Sequence, residues 1–148
     1  MRVRKAETAD LDKVADLFNQ YRVFYKKESD LIGGRQFLQD RMVNNESEIF
    51  VASDEQNNFM GFVQLFPIFS STRMKRLWLL NDLFVAPDYR GQGVSIGLIE
   101  KAKELCRATN ACGLLLETAK TNMVGNQLYP RTDFVLESDS NFYVWNLQ

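Results

Sequence analysis

Apolar positions along this chain recur at two spacings, and each change of spacing marks an element. Arg2 to Ala6 alternates as a short strand. Leu11, Val14, Ala15, Leu17, Phe18 and Tyr21 then fall at helical intervals, with Thr8 or Asp10 placed to cap a helix through Tyr25. Tyr25-Lys-Lys-Glu-Ser-Asp30 is a polar connector. A second helix is predicted from about Leu31 to Asn44, carrying Phe37, Leu38, Arg41 and Met42, with Gly33 and Gly34 weakening its start. The period then drops to that of strands. Glu48–Ala52 predicts a strand, Asp54–Asn58 a polar hairpin turn, and Phe59–Phe66 a further strand with Gly61 as a candidate bulge. Pro67 to Arg73 reads as a loop rich in serine and aromatics. Lys75 to Val85 predicts a long, largely buried strand, stopped by Pro87 and Asp88.

Leu98, Ile99, Ala102, Leu105 and Cys106 form the inward stripe of a helix from Val94 to about Thr109. Cys112–Thr118 predicts a buried strand, and Asn122 caps a short helix that Pro130 is expected to end near Tyr129. Phe134–Leu136 and Phe142–Leu147 are expected to close the fold as a hairpin around Ser138–Asn141. The resulting order, β-α-α-β-β-β-α-β-α-β-β, is that of an α+β protein with helices packed on a mixed sheet.

Composition narrows the classes. The 148 residues, 45% hydrophobic and 25% charged, suit one domain over 1–148 with a single core. No apolar run approaches the roughly 20 residues of a membrane span, and Met-Arg-Val-Arg-Lys-Ala lacks the apolar stretch of a secretory leader. A cytoplasmic location is therefore expected. The formal net charge is −1 and no basic cluster exceeds Arg73-Met-Lys-Arg76, which argues against nucleic acid as the main partner. Cys106 and Cys112 are expected as core thiols rather than a disulfide. The chain has no histidine, which removes histidine-based triads and histidine-ligated metal sites. A general base must then be a carboxylate, tyrosine, lysine, thiol or ordered water.

The candidate chemistry lies in Asn81 to Glu100, where a strand end meets a glycine-bearing turn and the start of a helix. Unladdered N–H groups at a helix start suit an anion. A P-loop needs a Gly-Lys pair, and the chain has none. A dinucleotide fingerprint needs Gly-x-Gly-x-x-Gly; Gly91 and Gly93 fit, but Ile96 stands third and Gly97 comes one residue late. A third pattern, Arg or Gln, x, x, Gly, x, then Gly or Ala, matches Arg90-Gly-Gln-Gly-Val-Ser95 except for the final serine. After its Leu-Phe-Val strand and proline, this segment resembles the acyl-CoA loop of the GNAT family of N-acetyltransferases. Asn122-Met-Val-Gly-Asn-Gln-Leu-Tyr129 with Phe134 is similar to that family's Asn-x-x-Ala-x-x-Leu-Tyr and following Gly-Phe, with Gly125 in place of alanine and Asp133 in place of glycine. The order of elements is also the family's, so the resemblance covers nearly the whole chain. Asn81 to Gly93 looks, more narrowly, like the matching stretch of polyamine and histone acetyltransferases.

The resemblance implies a GNAT-type acyl-CoA N-acyltransferase fold, acetyl-CoA as co-substrate without a metal, and acetyl transfer by direct attack of a primary amine. The acceptor would be a small amine, a polyamine or a protein lysine. The pyrophosphate would lie on the amides of Arg90, Gly91, Gln92, Gly93, Val94 and Ser95, where glycine keeps Cβ atoms away from it. Leu83, Phe84 and Val85 would pair by backbone with the pantetheine arm, one N–H polarising the thioester carbonyl. Asn122 would bond the arm from the other side. Tyr129 would protonate the leaving thiolate, since a phenol ionises near about 10, above a typical thiol. Asp82 is the leading general base, with Glu117 and an ordered water as alternatives. Tyr25, Glu28 and Phe69, with Asp30, would form an aromatic and acidic mouth for a cationic amine.

Two rivals belong to other classes. One is an acyl-CoA sensor without turnover, which an intact Tyr129 opposes. The other is a Rossmann-type nucleotide module, opposed by Ile96 and by the antiparallel pattern of Phe59 to Val85. Family members often pair, and the aromatic end Phe142-Tyr-Val-Trp145 offers a surface for a homodimer.

Overall fold

The strand-spaced stretches pair into one five-stranded sheet in the order β1-β2-β3-β4-β5. The strands are β1 (Arg2–Lys5), β2 (Glu48–Ser53), β3 (Phe59–Ser70), β4 (Lys75–Val85) and β5 (Leu114–Leu115). Pairing is antiparallel from β1 to β4, and β5 joins β4 in parallel. The computed structural model describes residues 1–148 and divides into two compact units, Met1–Glu117 and Thr118–Gln148. The sheet lies in the first unit with α1 (Leu11–Phe24), α2 (Leu31–Val43) and α3 (Val94–Ala108). The architecture is the expected α+β mixed sheet with helices packed on it.

Both faces of the sheet are covered, which is why β2 buries every residue from Ile49 to Ser53. On one face Val14, Ala15, Leu17 and Phe18 of α1 and Leu38 of α2 pack with Ile49, Val51, Phe62 and Phe84. Each fully buried large side chain among them, such as Phe62, contributes about 1.5–3 kcal/mol. Alternation turns Gly61 to the other face, where Leu98 of α3 packs. Asp30 caps α2, its Oδ1 accepting from the Gly33 N–H at 2.8 Å. Asp10 does not cap α1 from the end of the helix. A 3₁₀ turn, Thr8–Asp10, precedes α1, and Asp10 accepts from the Glu7 N–H at 2.8 Å and pairs with Arg4 at 2.6 Å.

Gly61 is not itself the bulged residue. Ala52 pairs with Gly61 and Ser53 with Phe59, so Met60 is the extra residue. Glycine is required at 61 by close approach: a Cβ there would lie 2.5 Å from the Phe84 carbonyl oxygen and 3.2 Å from the Val85 Cα. Gly61→Ala is expected to push β4 away and cost about 1–3 kcal/mol, read as a lowered urea midpoint at unchanged m-value.

Two expectations about strand length are corrected. Pro67 to Ser70 is strand rather than loop, because Ile68 and Phe69 pair with Leu77 and Arg76 and the turn shrinks to residues 71–74. The strand expected over Cys112–Thr118 is reduced to Leu114–Leu115, paired with Trp78 and Leu79. A second bulge explains this: Gln64 pairs with Asp82 but Leu65 with Leu80, leaving Asn81 unpaired. Bulges bend and twist the strand that carries them, so β4 leaves β5 just past Leu79.

In the second unit, α4 spans Met123–Arg131 and contains Pro130. The proline was expected to end the helix near Tyr129. It lacks only one ladder donor so close to the end, and the helix runs on to Arg131, with Asp133 just beyond it at φ 65°. The expected closing hairpin is absent. Residues 134–136 and 142–147 belong to no strand, and Leu136 (87%) and Trp145 (83%) are exposed. A two-stranded hairpin is marginal in water without a sheet to join.

Candidate active site

A turn, a strand edge and a buried carboxylate meet around β4. Pro87–Tyr89 forms a 3₁₀ turn after β4, and Gly91 and Gly93 follow with φ 74° and 79°. These are left-handed conformations that favour glycine. A Cβ at either position would meet nothing within 4 Å, so the loop's outer side is open. The first bond of the α3 ladder runs from the Gly97 N–H to the Gly93 carbonyl at 3.1 Å. The N–H groups of Val94, Ser95 and Ile96 therefore precede the ladder, at the positive end of a 15-residue helix. Gln92 Nε2 ties the loop down by donating to the Asp88 carbonyl at 3.1 Å.

The β4 edge beside this loop is open because β5 stops at Leu115. The Ala86 N–H bonds back to Met60 at 2.9 Å. Ladder alternation then directs the Phe84 backbone toward β3 and leaves the N–H and C=O groups of Leu83 and Val85 on the open edge. Of the three residues expected there, Phe84 thus contributes its ring rather than its amide. Arg90 folds across the end of this edge. Its Nε donates to the Val85 carbonyl at 3.1 Å, and its guanidinium lies 5.6 Å from the Phe24 ring centroid and 5.8 Å from that of Phe84.

The bulge at Asn81 sets Asp82 opposite Gln64, facing the α1 side. Asp82 is 4% exposed and Gln64 is fully buried. Gln64 Nε2 donates to Asp82 Oδ2 at 2.6 Å, and Asn81 Nδ2 donates to Oδ1 at 3.0 Å. Ser47 Oγ donates to Gln64 Oε1 at 2.9 Å, which orients the amide toward Asp82. The Tyr21 hydroxyl also donates to the carboxylate. Burial raises the Asp82 pKa above the usual carboxylate range, and the hydrogen bonds from Gln64, Tyr21 and Asn81 oppose the rise without cancelling it. A buried carboxylate with a raised pKa fits proton transfer.

The expected acceptor mouth is only partly assembled. Tyr25, at the end of α1, stacks edge-on against Tyr21 at 5.0 Å and Phe24 at 5.3 Å. Glu28 is exposed, and its backbone carbonyl accepts from Arg22 at 3.1 Å. Asp30 is engaged as the α2 cap. Phe69 lies five residues beyond Gln64 on β3, roughly 17 Å along the strand, with the Arg76 guanidinium 5.1 Å from its ring centroid. Glu117 is exposed and lies outside any strand.

In the second unit, Asn122 caps α4. Its Oδ1 accepts from the Gly125 N–H at 3.1 Å and its Nδ2 donates to Thr118 at 2.9 Å. A Cβ on Gly125 would lie 2.6 Å from that Nδ2 and 3.2 Å from the Tyr129 ring, so glycine suits the place better than alanine. Tyr129 is half-buried and meets Phe134 edge-on at 5.7 Å.

Two residues of the Asp82 site, Gln64 and Tyr21, escape the sequence reading. Gln64 carried a signal: it is a polar residue at an inward position between Phe62 and Phe66. Tyr21 carried none, because its helical spacing marks it simply as core.

The model of the acetyltransferase (GNAT) family matches residues 11–134. An uncharacterized N-acetyltransferase of Bacillus subtilis is 43% identical over 142 residues, covering 96% of this chain and 93% of that protein. A probable acetyltransferase of Haemophilus influenzae is 36% identical over 81% of this chain and 82% of its own length. The crystal structure of a probable acetyltransferase superposes with a TM-score of 0.95 at 36% identity, covering 100% of this chain and 99% of that one.

Proposed function

Because this chain belongs to the GNAT family of acetyltransferases, we propose that it moves the acetyl group of acetyl-CoA directly onto a primary amine. It is an N-acetyltransferase, and its family uses acetyl-CoA as co-substrate. The observation that carries the acetyl-CoA reading is the open glycine loop entering α3 beside an unpaired β4 edge. Phosphate oxygens match the N–H groups of Val94, Ser95 and Ile96, and the amides of the pantetheine arm match the open groups of Leu83 and Val85. With Arg90 on the Val85 carbonyl, the edge keeps the Leu83 carbonyl and the N–H groups of Leu83 and Val85, and an N–H suits the thioester oxygen.

Asp82 takes the acceptor's proton, the neutral amine attacks the thioester carbonyl, and Tyr129 gives a proton to the departing thiolate. Asn122 keeps one amide hydrogen and a lone pair for the arm beyond its capping bonds. The exposed ring of Tyr25 favours a cationic amine, small or polyamine-like, over a neutral acceptor. Both compact units belong to one catalytic domain on this reading, which the family match across residues 11–134 supports. A panel of polyamines, amino sugars and a lysine-bearing peptide, assayed for thiol release from acetyl-CoA, tests the reading. Turnover with at least one amine is expected. Tight acetyl-CoA binding with no thiol release across the panel would leave a sensor instead.

No helix is long and apolar enough to cross a membrane. The free thiols Cys106 and Cys112 are consistent with a reducing cytoplasm. The exposed Phe142, Tyr143, Val144 and Trp145 support a homodimer, as large apolar patches on a lone protein usually mark a contact surface. Light scattering is expected to give twice the chain mass, falling to the monomer when Phe142 and Trp145 are both changed to serine.

A further inference from the structure

We propose that the Tyr21 hydroxyl relays the acceptor's proton to Asp82. This rests on the reading of Asp82 as the general base. The carboxylate itself is sealed: it is 4% exposed, with Gln64 against one oxygen and Asn81 against the other. An amine arriving from solvent meets Tyr21 first. That ring spans the wall, packing edge-on against buried Phe62 at 6.0 Å and Phe84 at 6.3 Å on one side and against exposed Tyr25 at 5.0 Å on the other. Its hydroxyl lies 3.5 Å from the Asn81 carbonyl, at the bulge where β4 leaves β5. It is therefore beside both the carboxylate and the open edge assigned to the thioester.

The step balances. The ammonium N–H bond breaks and its proton passes to Tyr21 Oη as the tyrosine's own proton passes to an Asp82 oxygen. A neutral amine, an intact phenol and a neutral carboxyl result, and the carboxyl later returns its proton to solvent. The groups that meet the carboxylate are neutral: Gln64 from β3, Tyr21 from α1 and Asn81 beside it. With no cation to hold the charge, a proton delivered by Tyr21 stays long enough for attack.

Tyr21→Phe and Asp82→Asn, assayed with acetyl-CoA and spermidine or whichever amine of the panel turns over, test the relay. Tyr21→Phe is expected to lower kcat/KM for the amine about a hundredfold while the KM for acetyl-CoA stays within about twofold. Its acid limb should move to higher pH, because one of the bonds favouring the charged carboxylate is gone. A rate and acid limb like wild type would overturn the relay. Activity lost in Asp82→Asn but kept in Tyr21→Phe removes the relay alone; activity kept in both removes Asp82 as the base. A proton inventory on the wild-type enzyme serves if Tyr21→Phe does not fold. Two protons in flight give a curved plot against deuterium fraction, and a straight line contradicts the relay.

Discussion

Asp82→Asn is expected to lower kcat/KM for the amine by about 10²–10⁴ at pH 7 while leaving the protein as stable as wild type or more so. The sign follows from burial. The folded pKa of Asp82 is raised by desolvation, and the unfolded value is about 3.9. The native state therefore holds the proton more tightly, and stability falls as pH rises from the unfolded pKa through the folded one. At pH 7 the buried charge costs stability that the variant recovers; below both pKa values the carboxyl is neutral and the difference disappears. Urea midpoints of the two proteins at pH 7 and pH 3 measure this. An inactive variant that is markedly less stable at pH 7 would make Asp82 a structural partner of Gln64 rather than a base.

Tyr129→Phe is expected to lower kcat by about 10²–10³ with acetyl-CoA affinity largely kept. The ring and its edge contact with Phe134 survive in phenylalanine, so the change removes the hydroxyl alone. A thiolate leaving group of ordinary basicity needs that proton, whereas an acidic thiol leaves without it. An acetyl thioester of thiophenol is accordingly expected to react at nearly equal rates with both proteins. A kcat unchanged with acetyl-CoA, under conditions where chemistry limits the rate, would take Tyr129 out of the mechanism.

Local pattern carried much of the fold. The stripe from Leu11 to Tyr21 and the run from Lys75 to Val85 specify α1 and β4 because each buries one face against a neighbour. Gly91 and Gly93 were legible for a comparable reason: a left-handed turn before a helix leaves few other residues to choose from. What the sequence hid depends on long-range register. The bulge at Asn81 arises from how β3 and β4 pair, and it both ends β5 early and turns Asp82 toward Gln64. Neither effect is written in the residues near it. Phe69 shows the same limit, since its distance from the mouth follows from where the β3–β4 turn falls. The tail from Phe134 onward has a strand-like pattern, but pattern alone does not supply a neighbouring strand.

The central claim is direct acetyl transfer from acetyl-CoA to an amine in a ternary complex. A rapid-quench experiment with enzyme in excess over acetyl-CoA tests it most directly, following free thiol and acetylated amine together with any acetyl group left on the protein. The account predicts that thiol appears only when amine is present, one for each acetylated amine, and that no acetyl-protein accumulates. A burst of thiol without amine, with the acetyl group retained on the chain, would contradict it.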